Sequence, residues 1–301
     1  MNTFIRQQTT TRWMQWWEAM GIAHEDPHDS HAIHDLRVAI RRLTQCFRLF
    51  EEHFDAAAVG KFRKQLHRLM RNCGVARNHH IAEKLLEDAG FGKSSASMRF
   101  LSKGRKQAEK TLAKDLKKML QRKEVEAAAL TPAPAAPEDL ENPMPDLVGK
   151  FFAAGREAAT PASSYAEMHH FRVDAKHFRY SVELFEPRFE PDRLAPILAA
   201  LRELQDKLGD MNDCVTALEL LKKHKRASAA IQELLEQREH MFRSHWKRYF
   251  GPKKEGLWIS TFSAMGKPSP APRKLKTRRA DLLRPVNTTS GTSSGPRGKQ
   301  K

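Results

Sequence analysis

The stretch His34-Asp35-Leu36-Arg37-Val38-Ala39-Ile40-Arg41-Arg42-Leu43 recurs, one hundred and thirty-five positions later, as His169-His170-Phe171-Arg172-Val173-Asp174-Ala175-Lys176-His177-Phe178. On a helical wheel at about 100° per residue, His34, Arg37, Arg41, Gln45 and Arg48 occupy a sector of roughly 80°. Ile33, Leu36, Ala39, Ile40, Leu43, Phe47 and Phe50 take the opposite side. The second stretch repeats the pattern. His169, Arg172, Lys176 and Tyr180 form the polar row, while Phe171, Ala175, Phe178, Val182 and Phe185 form the apolar face. Each segment therefore reads as an amphipathic helix that packs inward and carries a row of cations away from its core. Arg42 and His177 flank the two rows.

The same offset, without a gap, lays Leu49-Phe50-Glu51 over Leu184-Phe185-Glu186, Leu66 over Leu201, Leu69 over Leu204, Gly74 over Gly209, Ala82 over Ala217 and Leu85-Leu86 over Leu220-Leu221. Chance helical periodicity matches leucines, but not His, Arg, Phe and Gly at one shift. Helical spacing predicts further segments over about 4–22, 31–54, 56–89 and 96–126. Four more follow over 145–158, 165–186, 192–224 (jointed near Gly209) and 226–249. No stretch alternates with period two. The expected fold is all-α, a tandem pseudo-symmetric repeat of two four-helix bundles. The first bundle covers residues 1–126, an Ala/Pro linker 127–144, and the second bundle 145–250; a basic, largely disordered tail takes up 251–301. In the first helix Trp13, Met14, Trp16, Trp17 and Met20 read as a core seam.

The 301 residues carry 53 Lys+Arg against 36 Asp+Glu, a net charge of +17. That balance points to a polyanionic partner: nucleic acid, an anionic membrane face or a phosphate polymer. Residues 267–301 hold ten Lys/Arg and one acid, Asp281, so about half the excess lies in a Pro/Ser/Thr/Gly-rich tail without aromatics. A hydrophobic share of 40% suffices for a core. The apolar runs are too short for a membrane span, and the N-terminus lacks the order of a signal peptide. Cys46, Cys73 and Cys214 do not form a disulfide framework or a CxxC site. A reduced, cytoplasmic chain is expected.

Arginine suits a polyanion site because its fork of donors matches phosphate oxygens and stays charged. Like charges along one helix row repel by about 0.2–0.5 kcal/mol per i, i+4 pair. Two such rows at equivalent positions imply an extended anion that relieves the repulsion. The third helix adds Lys64, Arg68 and Arg71 on one face.

The His34–Leu43 pattern followed by Leu49-Phe50, its weaker copy at 169–186, and Leu204-Gln205-Asp206-Lys207-Leu208-Gly209-Asp210-Met211-Asn212-Asp213 together resemble the CHAD family, the conserved histidine α-helical domain. The resemblance covers about residues 5–250. It implies two pseudo-symmetric four-helix bundles whose basic surface binds inorganic polyphosphate, association with polyphosphate granules, and no catalysis. By position it implies ligand contacts at His34, Arg37, Arg41, Arg42, Arg48, His169, Arg172, Lys176, His177 and Arg179; the residue reading adds Tyr180, Lys64, Arg68 and Arg71. Thr44 stands where the family has a fourth basic residue, Arg77-Asn78-His79-His80 stands in place of an Arg-Asp-x-Asp run, and His177 replaces an arginine.

Competing chemistries are weaker. Glu203, Asp206, Asp210 and Asp213 share a face by spacing and suit a Mg²⁺ hydrolase, but pairing with the basic row is the favoured role. Neither the fourteen histidines nor Gly90-Phe91-Gly92-Lys93-Ser94 forms a recognisable metal or P-loop motif. No cofactor or metal is called for. The alternative function is nucleic-acid binding through the same surface and the tail, and it calls for aromatics on a basic face.

Overall fold

The computed structural model describes residues 2–121, 133 and 140–264. Among these, every regular element is helical. The helices are α1 Thr3–Glu25, α2 Ser30–Leu49, α3 Ala56–Asp88, α4 Ala96–Leu120, α5 Met144–Ala158, α6 Tyr165–Phe185, α7 Pro191–Leu221, α8 Lys225–Tyr249 and α9 Pro252–Ser263. Single 3-10 turns follow α2 (Glu51–His53) and α6 (Glu186–Arg188).

Local chemistry sets these boundaries. In the turn before α2, the Asp29 carboxylate accepts from His31 N at 2.8 Å; Asp55 accepts from Ala58 N at 2.7 Å and starts α3. Such caps satisfy backbone donors that the first turn cannot. Ser164 and Glu167 cap α6 reciprocally. Proline occupies the first turn of α5, α7 and α9, where a missing N–H costs nothing. The starts of α2, α3 and their counterparts α6 and α7 fall at the 135-residue offset, as do the two 3-10 turns.

Helices α1 to α4 pack on one another, and α5 to α8 do the same. The two groups meet where α2 crosses α6 and where the long helices α3 and α7 lie together. All of this belongs to one compact unit with a continuous core. Trp16, Phe47 and Phe62 form the aromatic centre of the first group. Phe151, Phe178, Trp246 and Trp258 form that of the second. Each apolar face read from α2 and α6 is buried.

Several expectations need correction. The second helix ends at Leu49, not at residue 54: the chain tightens into a 3-10 turn that buries Phe50 and Phe54. α7 runs through Gly209 as one helix. Trp17 is 36% exposed and Met14 60%, because the buried face of α1 follows Thr9, Trp13, Trp16 and Met20. The boundary at residue 250 falls short of the folded body: α9 packs against α5 and α7 and buries Trp258 and Phe262. Asn142 donates to Phe262 O at 2.7 Å and so ties α9 to the start of α5. Glycine and lysine around this segment masked a short amphipathic helix. The tail from residue 265, residues 122–126 and most of the Ala/Pro linker lie outside the described residues. Among the described residues no helix is long and apolar enough to cross a membrane.

Candidate anion-binding site

The two basic rows, each facing away from its own core, face each other where α2 crosses α6. The crossing is held by polar contacts of defined geometry. Arg41 Nε donates to Tyr180 Oη at 2.8 Å. Gln45 Nε2 donates to Ser181 Oγ at 3.0 Å, and its Oε1 lies 2.8 Å from His177 Nδ1. Glu183 closes one edge: its carboxylate takes Arg42 Nε at 2.7 Å and Arg179 Nε at 3.2 Å, and its backbone carbonyl accepts from Arg12 at 3.0 Å. Hydrogen bonds to ionised partners are the stronger kind, so this clasp fixes how the two helices cross.

On the other side of Arg41 lies a cluster with no such partner. Arg37, Arg41 and Arg77 come from the first half of the chain, Arg172 and Lys176 from the second. Arg37 lies over Gly74, where a Cβ would come within 3.0 Å of its Nη1, and donates to Met70 O at 3.3 Å. Its pKa falls to about 10 through burial and through Arg41, Arg172 and Arg77. Lys176 falls further, to about 6, through burial and then Arg172, Arg41 and Arg37. Burial also lowers Arg172, whose buried Nε lacks a hydrogen-bond partner. His34 feels Arg41 and Arg77, and His169 feels Arg172; burial first and then these arginines lower both. Among the described residues, the carboxylate that faces the cluster is that of Asp213. Burial raises it, while Arg172, Arg77 and Lys176 hold it down. Among the described residues, no ion pair within 4.0 Å involves Asp213 or any of these five basic side chains. Desolvated cations this close without counter-charges are costly. An anion with several oxygens would answer them all.

The structure thus gathers His34, Arg37, Arg41, His169, Arg172 and Lys176 into one place. It puts the other sequence candidates elsewhere. Arg42 and Arg179 belong to the Glu183 clasp. Tyr180 is buried and accepts from Arg41, so it positions that guanidinium. His177 bonds to Gln45 and feels Arg48, which is exposed. Lys64, Arg68 and Arg71 are exposed on α3; Arg68 lines a recess with Asp115 and Lys118 of α4. Of the acidic row, Asp213 alone faces the cluster directly. Glu203 lies 3.4 Å from His245, Asp206 is exposed, and Asp210 is exposed beside Asp213. No group of three or more potential metal ligands converges among the described residues.

Sequence reading missed Arg77 as a site residue. The signal was present: the 135-residue offset lays Arg77 over Asn212 and Asn78 over Asp213, so each half supplies one charge where the other has an amide. Asn212 sits against His169, whereas Arg77 acts on His34.

The body is all-helical, and basic side chains from both halves of the chain gather, half-buried, at its central crossing. The chain matches the CHAD domain model over residues 8–222, and it belongs to the CHAD domain family. It is similar to the crystal structure of the CHAD domain from the plant Ricinus communis, with a TM-score of 0.57 and 18% identity, over 88% of this chain and 92% of that one. PptA from Streptomyces chartreusis has a similar fold, with a TM-score of 0.53 and 15% identity, over 84% of this chain and 96% of that one. No curated protein sequence matches the chain.

Proposed function

We propose that this protein is a non-catalytic receptor for inorganic polyphosphate, which it binds at the crossing of α2 and α6. The observation that carries the reading is the group Arg37, Arg41, Arg77, Arg172 and Lys176, which among the described residues is faced by the carboxylate of Asp213 and has no ion pair within 4.0 Å. A chain of linked phosphates presents closely spaced charges and many acceptor oxygens, the chemistry that guanidinium forks match. A lone small anion would neutralise only part of the cluster. Membership of the CHAD domain family supports the same reading.

Three finer readings go with it. The matching boundaries of α2 and α6, of α3 and α7, and of the two 3-10 turns support a tandem duplication of one four-helix unit. The site then belongs to neither copy, since the first contributes Arg37, Arg41 and Arg77 and the second Arg172 and Lys176. The protein is expected in the cytoplasm at polyphosphate granules, where the tail's charge of +9 adds unspecific attraction.

The test is a titration of full-length protein with long-chain polyphosphate at several salt concentrations, compared with Arg172→Gln/Lys176→Gln. The double variant is expected to lose most of the affinity and to show a shallower salt dependence. Affinity retained within a factor of two, by a variant of unchanged helicity, would refute the site. Release of orthophosphate by the purified protein would refute the non-catalytic reading.

A further inference from the structure

Helix α4 carries a second cationic feature that the site above does not use. Arg99, Lys103, Lys106, Lys110, Lys114 and Lys117 are all exposed. Their spacing of three and four residues keeps them within a sector of roughly 80°, along about 27 Å of helix. From Ser94 to Gln121 the only acids are Glu109 and Asp115, and both turn away from this face. Glu109 is buried, bonding His28 at 2.7 Å and Arg105 at 3.0 Å, and Asp115 accepts from Asn72 of α3.

The stripe does not end with α4. At its N-terminal end, Phe100 is 46% exposed and its ring lies 5.1 Å from that of His224. His224 stands in the run Lys222-Lys223-His224-Lys225-Arg226, which joins α7 to α8 and whose four Lys/Arg are all exposed. Arg226 in turn lies over the Phe91 ring at 5.7 Å. The surface therefore has a line of five ammonium groups and the Arg99 guanidinium leading to exposed and partly exposed rings set among further cations.

We propose that this face binds single-stranded nucleic acid, with the sugar–phosphate backbone along the α4 stripe and a base stacked on Phe100. The reading does not depend on the polyphosphate proposal. A line of charge on one rigid helix matches a linear polyanion better than a lipid plane. An exposed ring beside it offers nothing to a phosphate polymer but does offer a base a π-face. The ammonium groups sit on flexible stems with no fixed fork, which suits backbone contact without sequence readout. RNA and DNA share this chemistry.

The test uses full-length protein and fluorescent oligothymidine and oligouridine of about 20 nucleotides, with anisotropy read across about 50–300 mM salt. In Lys106→Gln/Lys110→Gln/Lys114→Gln, the slope of log affinity against log salt should become shallower by about 2, since each single-strand contact contributes about 0.7. The three side chains are exposed and Gln is a comparable helix former, so the fold is expected to stand. Phe100→Ala should weaken oligonucleotide binding roughly 5- to 150-fold and leave polyphosphate binding unchanged. Conversely, Arg172→Gln/Lys176→Gln should keep oligonucleotide binding. An unchanged slope in the triple variant assigns binding to the basic tail and overturns the proposal. It is overturned equally by full oligonucleotide affinity in Phe100→Ala, or by loss of that affinity in Arg172→Gln/Lys176→Gln.

Discussion

Replacing Lys176 with methionine should stabilise the ligand-free protein, by an amount that depends on pH. The Lys176 ammonium is half-buried among Arg37, Arg41 and Arg172, and its pKa falls from 10.5 to about 6. At pH 7 the native side chain is mostly neutral, whereas the unfolded chain carries the proton. One pKa unit corresponds to about 1.4 kcal/mol. The shift therefore costs the native state on the order of 5 kcal/mol at pH 7, a ceiling that any water reaching Nζ lowers. Methionine has a similar length and no charge to desolvate. The sign follows from proton counting. Between about pH 6 and 10.5 the unfolded state binds the extra proton, so wild-type stability gains up to about 1.4 kcal/mol per pH unit from this group. The variant lacks that slope. Urea unfolding of both proteins from pH 6 to 9 should show Lys176→Met more stable at pH 6, with the gap closing steadily as pH rises. A gap that stays constant across this range, or a variant less stable than wild type at pH 7, would refute the account of the cluster. Saturating polyphosphate at pH 7 should remove the variant's advantage, because bound phosphates return the proton to Lys176.

Glu183→Gln leaves Arg42 and Arg179 without their carboxylate at the α2–α6 crossing; a loss of roughly 2–3 kcal/mol is expected, read as a lower urea midpoint at unchanged m-value. Asp213→Asn removes the carboxylate that faces the cluster, and polyphosphate should bind roughly 3- to 30-fold tighter by direct titration, since a repelling charge is gone. Trp258→Ala, at a fully buried position on α9, should cost about 3–5 kcal/mol in thermal or urea unfolding; a change below 1 kcal/mol would show that α9 is not part of the core.

Much of the fold is legible in local pattern. The wheels of α2 and α6 name buried faces that the structure confirms residue by residue, because an amphipathic helix has one way to hide its apolar side. The offset of 135 residues lines up helix starts and 3-10 turns. Local pattern failed where a neighbour decided the outcome. Trp17 shares a face with Trp13 by spacing, yet lies at the edge of the α1 interface. The helix from Pro252 to Ser263 is short and flanked by basic, polar chain, so its amphipathic signal is weak until Trp258 finds Phe151 and Phe152.

The sequence by itself determines an all-helical chain, its two basic rows and the residue types able to meet phosphate, since periodicity and charge are properties of neighbours along the chain. Only the tertiary structure decides which of those cations act together. Whether a guanidinium stays unpaired depends on what the crossing helix brings opposite it. Glu183 takes Arg42 and Arg179 out of the site, Tyr180 anchors Arg41, and the packing of α3 on α7 carries Arg77 and Asp213 into it. Charge repulsion is screened over about 10 Å and desolvation acts at contact distance, scales set by packing rather than by spacing along the chain.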